Sequence, residues 1–312
     1  MHEVLDEFFE KAENIKKITE KEIEDLIEEI INEKLKLEKN SIYTSSAKFV
    51  ILTNKLKNTI KESIKHIVYQ IQISDFTPSG TEIEFNKTIE NIEIIGKVDR
   101  IDLAKNEEAE YIRIIDYKSS QKNIDLNQVI AGTQIQLLTY IDAISKERAK
   151  EPAGVLYFNL IEPIISEDKN LTEEQIKEKI RKSFRMKGLI LADIKVIKMM
   201  DKKVEKGSSE IIPVYIDKQS SISNTRSSTI TKEQFKDLQK TIEKTIKQIA
   251  KEILSGKIEI KPIYDKKTKT SNCKYCEYKT ICAFNPKENE YKYIQDKTKE
   301  QILEEIKERK DA

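Results

Sequence analysis

The chain has 312 residues, 38% hydrophobic and 36% charged with no Trp, which excludes a disordered polymer and leaves room for one large domain or two ordinary ones. Fifty-six Lys and Arg stand against 55 Asp and Glu, a net charge of +1, so no whole-molecule field draws in a polyanion and any nucleic-acid site is expected to be a local patch. No apolar run reaches the ~18 residues of a membrane span, and the acidic N-terminus lacks a signal-peptide core, so a cytoplasmic protein with no membrane contact is expected.

The first seventy residues read as helices. Val4, Leu5, Phe8 and Phe9, then Ile23, Leu26, Ile27, Ile30 and Ile31, recur at three- and four-residue intervals, and the periodic stretch from Ser45 to Ile73 lacks both Gly and Pro. From Phe76 the pattern changes to short Ile-rich runs, TEIEFN, IEIIGKVDRIDL and YIRIIDYKSS, which predict a three-stranded meander. Leu126–Lys146 returns to helical spacing through Leu137, Tyr140, Ile141 and Ile144, and Ala153–Leu160 is the continuous apolar run of a strand buried on both faces. Beyond Pro163, Thr172 and Gln175 form a capping-box pair, whose side chains satisfy each other's free backbone NH groups; the helix they open is expected to stop near Gly188. The Ser-rich stretch Lys206–Ile230 reads as an extended loop with one short strand around Ile211–Ile216. The same cap at Thr231 and Gln234 opens a long helix with Phe235, Leu238, Ile242, Ile246, Ile249 and Ile253 on one face, ending at Gly256. Lys287–Ala312 is strongly charged and reads as a solvated or terminal helix.

The seven Gly, at 80, 96, 132, 154, 188, 207 and 256, offer no pair with P-loop spacing, so no Walker-type ATP site is expected. The chemistry-bearing pattern is GKVDRID (Gly96–Asp102) followed by IIDYKSS (Ile114–Ser120). Adjacent strands that each carry an Asp can bring carboxylates around one hard cation, which takes oxygen ligands. Strand alternation puts Asp116 and Lys118 on one face. A carboxylate that holds Mg²⁺ beside a Lys that orients water or stabilises a phosphorane is the set of parts for phosphodiester hydrolysis. On spacing alone, ion pairs among Asp99, Asp102, Asp116 and Lys118 explain the pattern equally well. Gln136 and Tyr140, four apart and so on one helix face, are in isolation ordinary helix surface.

Other features carry less. Glu82 and Glu84 precede the first Asp strand and either could add a carboxylate, but solvent-facing strand positions are expected. Lys266–Lys279 (KKTKTSNCKYCEYK) is the basic stretch with interleaved Tyr suited to a DNA backbone, against a plain solvated loop. His66, between Ile64 and Ile67, is expected to pack or be exposed rather than ligate. All three Cys (Cys273, Cys276, Cys282) fall within ten residues, an odd number that closes no disulfide framework and points to metal ligation, against three buried thiols. Three thiolates alone cannot complete a Cys₄ shell.

Through G-x-x-D-R-I-D, D-Y-K and G-T-Q-I-Q-L-L-T-Y, the sequence resembles the RecB-like nucleases of the PD-(D/E)XK superfamily. More closely it is similar to the nuclease domain of the AddB family, subunits of AddAB helicase–nucleases of low-GC bacteria; FTPSGTEIEF, FRMKGLILADIKVIKMMD, GKIEIKP and CKYCEYKTIC all fit, over nearly the whole chain. The resemblance implies an α/β, restriction-endonuclease-like core with a small mixed sheet flanked by helices, plus additional N- and C-terminal helices. It divides the chain into a helical N-terminal part (1–72), the catalytic core (73–165), a C-terminal part with the Cys cluster (166–286) and a charged tail (287–312). It implies a Mg²⁺- or Mn²⁺-dependent exodeoxyribonuclease domain of a complex that processes double-strand breaks for recombinational repair. DNA, as a single strand or duplex end, would be the substrate, and an AddA-type helicase/nuclease subunit the partner. By position it makes His2, Asp99 and Asp116 metal ligands, the Tyr117 carbonyl a backbone ligand, Lys118 the catalytic Lys, and Gln136 and Tyr140 an accessory pair. It also implies that Cys273, Cys276 and Cys282 join one Cys upstream of the nuclease core around a [4Fe–4S] cluster. That Cys is absent, so an incomplete cluster is expected, in a fragment that starts at an internal Met. The competing expectations are a stand-alone RecB-like exonuclease of the CRISPR-adaptation type, which shares these motifs, and a non-catalytic DNA-end-binding or scaffold module.

Overall fold

The computed structural model describes residues 1–162 and 171–311; Pro163 and the expected boundary between 165 and 166 lie outside the described residues. Helices α1 (His2–Lys11), α2 (Glu20–Lys36) and α3 (Ala47–Gln72) open the chain, with a 3₁₀ segment, Glu38–Thr44, before the last. Thr19 and Glu22 close a capping box at the head of α2, and the Ser46 side chain accepts the Phe49 amide at the head of α3. The apolar stripes turn inward as their spacing predicts, burying Val4, Leu5 and Phe8 of α1 and Ile23, Ile27, Ile30 and Ile31 of α2.

Strands β1 (Thr77–Ile89), β2 (Ile92–Lys105) and β3 (Glu110–Lys118) follow as the Ile-rich runs predict. After α4 (Leu126–Ile130) and α5 (Gln136–Glu147), β4 (Glu151–Asn159) returns parallel to β3 and is buried over seven consecutive residues. Then come α6 (Glu173–Ser183), β5 (Lys187–Leu191), α7 (Ile194–Met200), the two-stranded pair β6 (Gly207–Ser208) and β7 (Tyr215–Ile216), and β8 (Thr229–Ile230). The main sheet is mixed and six-stranded, in the order β1-β2-β3-β4-β5-β8; β2 runs antiparallel to β3, β4 antiparallel to β5, and β5 parallel to β8.

Three local expectations need correction. The helix expected over Leu126–Lys146 is two helices: Gly132 takes φ +79° and its amide closes α4 on the Val129 carbonyl, a left-handed turn that glycine adopts without penalty. Gly188 does not stop α6, which ends at Ser183; it lies inside β5, where an added Cβ would come 2.1 Å from the Val155 carbonyl oxygen of β4. Around Ile211–Ile216 only Tyr215–Ile216 is a strand, and Ile211 and Ile212 are buried in irregular backbone.

The rest of the chain is α8 (Lys232–Leu254), β9 (Ile263–Asp265), β10 (Thr270–Ser271), the single turn α9 (Lys279–Cys282), β11 (Lys292–Tyr293) and α10 (Lys299–Asp311), with β10-β9-β11 forming a small sheet. The apolar stripe of α8 is buried at Phe235, Leu238 and Ile242 and exposed at Ile249 and Ile253. The terminal helix is more than a solvated tail: Ile302 and Ile306 are buried as α10 packs on α8 and α4. Two compact units divide the chain, one of Met1–Phe85, Gly96–Asn123 and Ala143–Thr231, the other of Asn86–Ile95, Ile124–Asp142 and Lys232–Ala312. No helix among the described residues is long and apolar enough to cross a membrane.

Candidate active site

The antiparallel register of β2 and β3 pairs Arg100 with Ile115, and carried one residue further it sets Asp99 across from Asp116. Pleating sends Asp99 and Asp116 to one face of the sheet and Arg100, Asp102, Arg113 and Tyr117 to the other. The two faces do different work.

On the first face, the Tyr117 amide donates to Asp99 Oδ2 at 2.7 Å, and His2 of α1 brings Nδ1 to 3.7 Å from the same oxygen. Helix α1 is held there by its buried stripe and by Thr81 Oγ1, which donates to Asp6 Oδ1. Lys118 Nζ lies 2.5 Å from Asp116 Oδ2, and the Lys118 carbonyl accepts the Leu160 amide at 2.7 Å, which fixes the end of β3. The loop beyond is pinned by Asn159, which accepts the Lys122 amide and donates to the Lys122 carbonyl.

Sequence reasoning misplaced one carboxylate. Glu84 is exposed as expected, but Glu82 is not a solvent-facing strand residue: it takes φ +50°, a kink within β1 that turns its side chain toward the site. His2, Glu82 and Asp99 each offer a ligand atom, all within 4.8 Å of one another, and no other group of three or more His, Cys, Asp or Glu among the described residues gathers so closely. No residue type announces such a kink; the Pro78-Ser79-Gly80 cluster just before is a nearby loosening signal but does not say which way Glu82 turns.

Burial pushes the Asp99 carboxyl up to about 6; the Tyr117 amide opposes this, the Asp116 charge adds to it, and His2 and Glu82 act in opposite directions. Burial also raises Asp116, against the pull of Lys118. Carboxylates held together at this cost, with an imidazole and no apolar or thiol donor, fit a divalent cation that prefers oxygen and nitrogen ligands.

The opposite face holds a buried charge cluster. Asp102 accepts Arg113 Nε at 2.9 Å and Arg100 Nη2 at 3.0 Å, and all three side chains are at most 1% exposed. Arg100 also donates to the Tyr117 hydroxyl at 3.0 Å and lies over the Phe9 ring, while Arg113 lies over Phe76. Asp102 is thus the ion-pair residue of the bland expectation, and its paired guanidiniums hold its carboxyl below the usual range despite burial.

Gln136 and Tyr140 belong to the second compact unit, where Gln136 Nε2 donates to the Tyr140 hydroxyl at 2.8 Å. Cys273 lies in a 3₁₀ turn (Asn272–Tyr275), Cys276 caps that turn and Cys282 ends α9, Cys276 exposed and the others half-buried, rather than buried as inert thiols. The basic stretch Lys266–Lys279 is exposed, with Tyr275 and Tyr278 at 82% and 69%. His66 packs face to face on Phe184, centroids 4.2 Å apart, as expected of a non-ligand.

The model of the PD-(D/E)XK nuclease superfamily matches residues 1–283. Relatives named as a subunit of an ATP-dependent helicase/deoxyribonuclease are similar over most of the chain: 38% identical in Clostridium novyi over 97% of this chain, 38% in Clostridium kluyveri over 98%, and 37% in Acetivibrio thermocellus over 88%. The chain spans only 26–28% of the length of these relatives. With its mixed sheet, its paired strand-end carboxylates and its adjacent lysine, the chain belongs to the PD-(D/E)XK nuclease superfamily.

Proposed function

We propose that this chain carries a divalent-metal-dependent deoxyribonuclease activity, acting on a DNA strand as part of a helicase–nuclease that processes double-strand breaks. The observation that carries the reading is the convergence of His2, Glu82 and Asp99, with Asp116 across the strand pair and Lys118 against it. The relatives named above are helicase-associated subunits, which favours this reading over a stand-alone exonuclease and makes an AddA-type subunit the proposed partner.

Asp99, Asp116, His2 and the Tyr117 carbonyl would hold Mg²⁺ or Mn²⁺, with Glu82 as an added carboxylate. When bound, the ion polarises a phosphoryl oxygen and acidifies a water. Lys118, whose ammonium is tethered by Asp116 and whose backbone is tethered by Leu160, orients the attacking water and balances negative charge developing at phosphorus. Gln136 and Tyr140 are kept as the accessory pair on the family pattern alone. Cys273, Cys276 and Cys282 are proposed as ligands of an iron–sulfur cluster whose fourth ligand is not a Cys of this chain.

Asp116→Ala tests the assignment. It is expected to lower metal-dependent cleavage of labelled DNA by at least ~10³-fold, with a circular dichroism melt close to that of the parent. Cleavage at the parental rate would overturn the reading.

A further inference from the structure

Of the eight large apolar side chains that the described residues of the first compact unit leave exposed, seven lie between Leu37 and Leu56, in the 3₁₀ segment, the linker and the head of α3. The same stretch concentrates positive charge: residues 34–61 hold seven Lys and one Glu in a molecule of net charge +1. Lys34, Lys39, Lys55 and Lys61 are paired with Glu7, Glu3, Glu162 and Glu24, whereas Lys36, Lys48 and Lys57 have no acidic partner among the described residues. Between these elements runs a groove of about 440 Å³, walled by Leu35, Tyr43 and Leu56, with Asn40 and Lys57 at its polar edge and His2 on its lining.

This is a local patch of the kind the overall charge demands. Apolar walls, one aromatic ring and the unpaired ammonium of Lys57, with Lys36 and Lys48 elsewhere on the same stretch, match a chain of planar bases joined by anionic phosphates. The groove also shares His2 with the carboxylate site: His2 lines it and brings Nδ1 to 3.7 Å from Asp99 Oδ2. A duplex hides its base faces in the stack, so only an unpaired base can reach Tyr43.

We propose that the groove is a single-strand subsite in which an unpaired nucleobase packs on Tyr43 between Leu35 and Leu56, Lys57 takes an adjoining phosphate, and the strand passes His2 to reach Asp99 and Asp116. This deepens the nuclease reading and rests on it for the fate of the strand, but not for its binding. An apolar, lysine-rich face can also serve a protein partner; the continuity with His2 favours the substrate.

The test uses the full chain with a chelator present, so that binding is read without cleavage. Fluorescence anisotropy with a labelled oligothymidylate of roughly 12 nucleotides should show Tyr43→Ala binding about five- to hundredfold more weakly, with Tyr43→Phe close to the parent. Lys57→Gln should lower the slope of log affinity against log salt by about 0.7, one phosphate contact on a single strand. A base analogue such as 2-aminopurine in the strand should be quenched by the parent and Tyr43→Phe and not by Tyr43→Ala. Tyr43 is 40% exposed, so thermal melts of the variants should match the parent. Parental affinity and salt slope in both variants would overturn the subsite, and the same result with lost capture of an AddA-type subunit would reassign the face to a protein partner. Metal-dependent cleavage by the parent is measured separately: its absence would remove the nuclease reading while the binding arm still judged the groove.

Discussion

At the scale of single residues, the buried cluster of Asp102 with Arg100 and Arg113 is the most exposed to substitution in the energetic sense. One carboxylate serves two guanidiniums, none in contact with water, so neutralising it strands two buried cations. Asp102→Asn is expected to destabilise by ~3–5 kcal/mol, read as a lower urea midpoint, while Asp102 touches none of the proposed metal donors. Asp99 carries a pH signature. Its unfolded counterpart ionises near pH 4, whereas in the fold burial delays ionisation to about 6. The raised value means the metal-free protein gains stability from this group below that window and loses it as pH rises through it. Cation binding runs the other way, because the ligand must shed its proton. Apparent Mn²⁺ affinity, followed by calorimetric titration, should climb from pH 5 to 7 and flatten above; a flat profile throughout would remove Asp99 from the ligand set. The juxtaposition of Asp99, Asp116 and Lys118 was legible because strand alternation and motif spacing are one-dimensional facts. Glu82 was not, because its inward turn depends on a backbone kink that no side chain dictates.

At the scale of elements, periodicity recovered the three opening helices and the strands up to β4, whose Ile-rich and continuous apolar runs have no helical alternative of that length. It failed where a short element depends on its neighbour. Strand β5 is five residues, too brief for a period, and Gly188 within it resembled a helix stop. The real reason for that glycine is the approach of β4, together with φ +150°. Gly188→Ala is therefore expected to cost on the order of 3 kcal/mol, read from chemical unfolding, with a far-ultraviolet spectrum that loses strand signal. A neutral alanine there would mean that β4 and β5 do not approach as closely as described. The division of Leu126–Lys146 into two helices was hidden for a related reason: a single interior Gly is tolerated in many helices, and only the +79° dihedral at Gly132 shows that this one is a turn.

At the scale of the whole molecule, the near-zero net charge concealed what matters for a polyanion. Lysines 34 to 61 are spread among apolar residues on two helices and a turn, so no contiguous basic run marks them, and the conspicuous run at Lys266–Lys279 stood out instead. The donor set proposed above shares that dispersion: residues 2, 82 and 99 come from a helix and two strands, with nearly a hundred positions between the first and the last. An extended polypeptide scatters these groups beyond any common coordination sphere. Only tertiary docking of the first ten residues onto the sheet assembles them, so a half-made or unravelled chain has no common seat for the proposed cation, and the proposed cleavage would belong to the finished fold alone.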